Sequence, residues 1–597
     1  MTARHFYGVL PGLLALCSLV FFGCLKTDKK DSEPEEVTLD FNYDSLISHA
    51  KAFAPETGKP GGTLSLPLYN EPVSFNPLTT HDAVFHMYEG LVAIDGATGL
   101  PVPHLAKRWD VSDDGLVWTF KIREGVFWSD SMPFSAYDVV FTFDDLIYNR
   151  RVRPNISREK FTIAGRKIGV KALDSLTVQF TLPAVFAPFL RSLCQGILPR
   201  HRFKRAAGNG SFCDSLSIRS KPGSMVGTGP FILTSYTPLN NVVYCKNPLY
   251  RQRDSVGTRL PYIDSLIYTI VSDLDEALQC FKNGEIDYLV ADGKDYVELK
   301  GHDSGFVQYH LGPAFTNNFL VFNQNTGKRR TTGKPYVPYT KQVWFRNGMF
   351  RKAVALAVDR QHSIDSLMGG RGYAQWSPVN PAVRSFYNPA VRKYPLNRDE
   401  AKRILAAEGF ADRDGDGFLE DRDSTTIEFS LIVNSGNVFR CAMALLIRED
   451  LKKIGMNVHV QQMNIRDIMN TIQHPPYQWD CVLAGMSDVF EPHFGYDVWH
   501  SSGKNHLWFP NQKKPSTLWE GRIDSLFQVG TTIDNMVKRK AIYDEWQVIV
   551  STELPVIFTV RSERILCMSR AVQNVNPTLY GGLLHNLPEL FFSRDAR

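Results

Sequence analysis

The sequence predicts an α/β fold, and three observations carry that prediction. Short runs of strand character occur along both halves of the chain. From 425 to 484, strand and helix patterns alternate. The composition is ordinary for a globular protein, with 43% hydrophobic and 22% charged residues, which excludes wholesale disorder, collagen and a long coiled coil. At 597 residues the chain is long enough for about four domains.

The elements follow in order. Gly61-Gly62 opens the folded part, and 63–69 (TLSLPLY) reads as a strand. The stretch 110–121 (DVSDDGLVWTFK) reads as two strands around an Asp-Gly turn. A strand is expected at 173–182, and another from the run GTGPFIL that begins at Gly227. Phe350, Val354 and Val358 recur at helical spacing in 348–358. Asn397 is an N-cap with Glu400 at N3, and that helix ends at Gly409. A strand at 425–433 and a helix at 438–454 follow, the helix carrying Val438, Cys441, Ala442 and Leu445 on one face. Then come a strand at 458–463, a helix at 465–473 and a strand at 479–484. This order implies a parallel or mixed sheet with helices on its faces. Ligands of such sheets bind beyond the carboxyl ends of the strands or between two such domains.

The formal net charge is +5, and no long Lys/Arg run stands out, which argues against a nucleic-acid partner. Aromatic residues make up 12%, which suits a large core and a roomy cleft alike. Arg4 and His5 precede an apolar run over 9–22, too short to span a bilayer, so 1–23 reads as a secretory signal. Gly23-Cys24 resembles the lipobox of bacterial lipoproteins, although Phe21 stands where Leu is usual. The resemblance makes Cys24 the lipidated first residue of the mature chain. Residues 24–58 are polar and acidic-leaning, which reads as a flexible tether. No second long apolar run follows, so the body is expected to be soluble and held to a membrane by acyl chains. Cys194, Cys213, Cys245, Cys280, Cys441, Cys481 and Cys567 remain, with no CxxC pair. Cys194 and Cys213 flank a loop and are the candidate disulfide.

Catalytic signatures are missing: there is no HExxH, GxSxG or Walker A sequence. Gly227-Thr228-Gly229 precedes Pro230 and a strand, not a helix, so it is no phosphate cradle. Asp412, Asp414, Asp416 and Asp423 stand at positions one, three, five and twelve of a calcium-type loop, with Glu420 at nine. The same residues suit a hydrated Asx/Gly turn. His493, His500 and His506 lie near Trp499 and Trp508 and suit either a transition metal or haem, or ordinary hydrogen bonding. Asp488 follows a strand's carboxyl end, where a carboxylate can hold an ammonium group or simply fix a turn.

Spaced motifs then accumulate: GGTLSLPLYNEPVSFNP, MYEGLVAID, PHLAKRWDVSDDGLVWTFKIREGVFWSD, SAYDVVFTF, GTGPFIL with KNPLYR, LPYIDSLIYTI with FKNGEIDYL, and FRKAVALAVDR. Together they resemble the bacterial extracellular solute-binding protein family 5, the dipeptide-, oligopeptide- and nickel-binding receptors of ABC importers. Asn76 replaces a usual Asp, and SDSMPF replaces a usual Asp-Gly-Pro-type turn. The resemblance implies a two-lobed periplasmic-binding-protein-like fold of class II with an extra domain inserted in lobe one. Lobe one would be 59–100, 222–317 and 560–597, the inserted domain 101–221 and lobe two 318–559. Asp488, Glu491 and Pro492 match the dipeptide-binding pattern, so Asp488 would capture a peptide's α-amino group with Glu491 beside it. The implied protein is a monomeric receptor without enzymatic activity or cofactor. It would be anchored on the periplasmic side through Cys24, and its partners would be short peptides and an ABC permease. Alternatives are a nickel-chelate or haem receptor of the same fold using His493–His506, a periplasmic hydrolase, and an envelope adhesion lipoprotein.

Overall fold

Leu64 and Leu66 bury one face of the Thr63–Leu68 strand, as the alternation requires. In a computed structural model, which describes residues 41–79, 86–153, 156–300 and 305–593, this strand pairs in parallel with Ser265–Ile270. Asn241–Lys246 and Phe231–Thr237 complete this first sheet. The glycines before Phe231 serve a close backbone approach. A Cβ on Gly227 would lie 2.0 Å from the Met87 carbonyl oxygen, and one on Gly229 2.2 Å from that of His86.

The Asp-Gly hairpin forms from Ala106–Val111 and Val117–Ile122. Gly115 turns it at φ +70°, and Asp114 Oδ1 accepts from the Leu116 N–H. The stretch expected as one strand at 173–182 is two. Asp174 Oδ1 accepts from the Leu176 N–H at 2.7 Å, and this Asx turn sets Gly169–Asp174 antiparallel to Thr177–Thr181. These four strands make a sheet of their own, yet Phe120 and Phe180 belong to the same hydrophobic core as Leu64, Leu66 and Tyr244 of the first sheet.

In the second sheet, Val560–Ser569 lies between Tyr288–Ala291 and Phe306–Pro313 and also pairs with Gly372–Ala374. The third sheet is mixed, as the strand–helix alternation implies. Its order is Asn457–Met463, Glu428–Asn434, Cys481–Ser487, Thr316–Phe322 and Ile557–Phe558. The first three strands run parallel and the next two pairings are antiparallel. The chain passes between these two sheets twice, from Phe306–Pro313 into Thr316–Phe322 and from Ile557–Phe558 into Val560–Ser569.

Asn397 caps Arg398–Ala407 by accepting from the Glu400 N–H, and Ile465–Gln473 has the expected bounds. The helix Val438–Lys452 buries a different face from the expected one. Met443, Ala444, Ile447 and Leu451 are buried, while Val438 and Leu445 are exposed.

The tether expectation for 24–58 fails from residue 41 onward. Tyr43, Leu46, Ile47 and Ala50 recur at i, i+3, i+4 and i+7, and Tyr43–Ala52 is a helix capped by Asn42. Leu46 packs on the large core, and Asn576 Nδ2 donates to the Ala50 carbonyl. The low average hydrophobicity of the stretch hides this short amphipathic run. The 1–23 segment and Cys24 lie outside the described residues. The proposed Cys194–Cys213 disulfide does not form: both thiols are free, and Cys213 Sγ faces the Arg153 carbonyl at 3.6 Å. Among the described residues, no helix is long and apolar enough to cross a membrane.

Candidate functional site

The Cys481–Ser487 strand extends further than the sequence suggests, so Asp488 is the first residue past its carboxyl end. The Asp488 N–H donates to the Phe315 carbonyl at 2.7 Å, fixing the loop against the chain between the second and third sheets. Its carboxylate is not free. Oδ1 accepts from Asn317 Nδ2 at 2.9 Å, and Oδ2 accepts from Asn380 Nδ2 at 2.9 Å and Arg561 Nη1 at 2.6 Å. Both ion-pair side chains are 1% exposed. A carboxylate has about four acceptor positions, so one on Oδ1 stays available. Arg561 Nη1 also donates to the Ala314 carbonyl, while its Nε and Nη2 are buried without hydrogen-bond partners. Such unpaired donors are rare and point to a missing acceptor.

Glu491, expected beside Asp488 as a ligand contact, has another partner. Arg539 donates to it through Nη2 at 2.5 Å and Nη1 at 3.1 Å, and both side chains are buried. Arg539 Nε donates to the Gly530 carbonyl, and the guanidinium lies over Phe386 and Tyr543. This bidentate pair holds the 488–495 loop to the helices Leu518–Thr532 and Met536–Glu553. Aromatic rings line the remainder. Phe490 meets Phe315 and Tyr580 at 4.8 and 5.5 Å, Arg564 lies over Phe315, and His493 meets Phe186 at 5.3 Å. The loop thus faces residues of the second sheet, of the C-terminal segment and of the 101–221 stretch.

His493 and His500 share Tyr496 as a ring neighbour, and His506 has a different ring beside it. His500 stacks on Tyr496 at 4.3 Å, and His506 packs on Trp508 at 4.1 Å. Burial, with Arg539 and His500 nearby, pushes His493 down to about 4. They do not converge on a common point, and the one cluster of metal-ligating side chains among the described residues lies elsewhere. That cluster is Asp412, Asp414, Asp416 and Glu420. Asp423 is outside it, because its N–H donates to Asp421 Oδ1 in a separate turn.

Glu520 anchors this half of the molecule. It closes a capping box with Thr517 and accepts from Trp508 Nε1 at 2.9 Å and Ser516 N at 2.7 Å. Burial alone would raise its carboxyl, but hydrogen bonds from Trp508 and Ser516, with the His506 imidazole nearby at 3.9 Å, outweigh it and hold the pKa down at about 2. A folded pKa below the unfolded one gives stability that is full above the unfolded value and lost as pH falls through the folded one. From the unfolded value of 4.5 to about 2, that contribution is about 3 kcal/mol. Thermal unfolding measured from pH 5 to 2 is expected to show a steep acid loss that Glu520→Gln flattens. An unchanged acid limb in the variant would remove Glu520 as its source.

Sequence reasoning found Asp488 from the strand end but missed Arg561, Asn317, Asn380 and Arg539. Each lies far along the chain from its partner, and no local pattern marks it.

Comparison with known proteins gives consistent relatives. The family model described as bacterial extracellular solute-binding proteins, family 5 Middle, matches residues 101–513. A probable ABC transporter-binding protein of Deinococcus radiodurans is 28% identical, over 76% of this chain and 78% of that protein. The oligopeptide-binding protein AppA of Bacillus subtilis is 26% identical, over 76% of this chain and 80% of its own. The solved structure of AppA from Bacillus subtilis, in complex with a nonapeptide, superposes with a TM-score of 0.68 at 22% identity. That match covers 90% of this chain and 100% of the other, and it shows the two-lobed α/β fold.

Proposed function

This chain belongs to the bacterial extracellular solute-binding proteins, family 5, and on that premise we propose that it captures short peptides for an ABC importer. Its lobes close around the cargo, and a membrane permease receives it from the closed form. The observation that carries the reading is the Asp488–Arg561 pair where the chain crosses between the second and third sheets. It combines an open acceptor position on Asp488 Oδ1 with unpartnered donors on Arg561 Nε and Nη2. A peptide's amino terminus is complementary to both: its ammonium group suits Asp488, and its first carbonyl oxygen suits Arg561. Parting of the lobes admits the peptide, and closure excludes water and strengthens these bonds. Anchoring one end leaves the other free, which fits peptides of several lengths. The names of the relatives support the cargo class, since AppA is an oligopeptide-binding protein.

The receptor works as a monomer without a cofactor and performs no chemistry on its cargo. Lipidation at Cys24 holds it on the periplasmic side of a membrane.

A melting screen tests the reading. Di- to nonapeptides are expected to raise the melting temperature by linkage, worth about 2.7 kcal/mol at a hundredfold excess over Kd. N-acetylated peptides should lose the effect, because they lack the ammonium group. Stabilisation by nickel–histidine or haem alone would overturn the peptide assignment, and turnover of a stabilising ligand would make the protein an enzyme.

A further inference from the structure

We propose that the loop from Asp412 to Glu420 is a calcium-binding site, with Asp412, Asp414, Asp416 and Glu420 as its side-chain ligands. One carboxylate oxygen from each of the four lies within 4.8 Å of the others. Among the described residues, none of the four takes part in an ion pair, so four negative charges face one another without a counter-charge. Arg413 is the nearest candidate, but its guanidinium is turned onto the carbonyls of Gly409, Ala411 and Glu420.

The second observation is independent of the acidic cluster. Glu420 is only 4% exposed; its Oε2 accepts from the Arg413 N–H at 2.7 Å, but its Oε1 is buried with no hydrogen-bond partner. A buried carboxylate oxygen left unpaired is costly, and a cation seated among the aspartates supplies what it lacks. Glu420 is turned inward by its backbone, which bridges Ala411 on one side and Thr426 on the other. The donor set is all oxygen, with no imidazole or thiolate, which favours a hard cation. Calcium accepts such a flexible carboxylate cage more readily than magnesium, which demands near-ideal octahedral geometry.

The place in the fold indicates a structural role. The loop leads into Glu428–Asn434, so it lies at that strand's amino end. Asp488 follows the carboxyl end of Cys481–Ser487, which runs parallel to it. With Leu431 opposite Cys481, Asp488 stands ten residues beyond the level of Glu428, so the two sites are about 30 Å apart, at opposite ends of one sheet. Leu419 donates its N–H to the Gly455 carbonyl and Ile427 donates to the Leu419 carbonyl, so a metal here ties the helix–strand connection down.

The test is titration calorimetry of calcium chloride into the chelator-treated full chain. One site is expected, with a Kd of about 10⁻⁴ M or tighter. Glu420→Gln and the exposed Asp414→Asn should each weaken binding by about tenfold or more, with unchanged circular dichroism. Absence of calcium heat in the wild type, or wild-type affinity in both variants, would overturn the site. Magnesium binding of equal strength would overturn the calcium assignment.

Discussion

Asp488→Ala is expected to abolish peptide-dependent stabilisation and also to destabilise the unliganded protein by about 3–5 kcal/mol. The first effect follows from removing the carboxylate proposed to hold the cargo's ammonium group. The second follows from the structure: Arg561 is 1% exposed and would lose its charge partner. Asp488→Asn keeps the shape but removes the charge, so it should show both effects without the cavity that alanine leaves. The double variant Asp488→Asn/Arg561→Met removes both buried charges and should recover much of the stability without recovering peptide binding. Scanning calorimetry with and without peptide reads both quantities. Wild-type peptide response in Asp488→Asn would take this residue out of the binding site.

Arg539→Ala should have a comparable effect on stability and little effect on cargo affinity. It would strand the Glu491 carboxylate, whose side chain is 4% exposed, at a cost of about 3–5 kcal/mol. Glu491→Gln/Arg539→Met should be far milder than the sum of the single changes, since apolar or neutral replacement of a whole buried pair is often tolerated. Denaturant midpoints for the four proteins of this cycle measure the coupling. Peptide affinity that falls tenfold in Glu491→Gln while stability holds would return Glu491 to the ligand.

Much of the architecture was legible in local pattern, and its limits have physical causes. The parallel core of the third sheet could be read because Leu431–Val433 and Val482–Leu483 are apolar runs, as strands buried on both faces must be. Periodicity could not choose the buried face of Val438–Lys452, because two apolar stripes run along it. The one that meets the sheet, through Met443, Ala444, Ile447 and Leu451, is decided by the partner surface. At 173–182 a turn made by a single Asp divides the stretch, so that Val178 and Phe180 are buried on one side of it while Leu173 is exposed on the other.

The candidate site was legible in position and not in partnership. A strand end followed by Asp is a local signal. That Arg561, Asn317 and Asn380 would close on it is a property of the folded chain, in which residues 73, 171 and 108 positions away become neighbours. The acidic loop shows the same limit. The twelve-residue spacing pointed to Asp423, but the bridges at Ala411 and Thr426 bring Glu420 into the cluster instead.

The place of Val560–Ser569 in the second sheet also bears on how the protein is made. It is the middle strand, yet both of its main neighbours are synthesised more than 250 residues earlier. Until it emerges, Tyr288–Ala291 and Phe306–Pro313 have no central strand between them, and each presents unpaired backbone edges. The sheet therefore cannot be completed until residues 560–569 have been synthesised, and the growing chain depends until then on whatever shields those open edges.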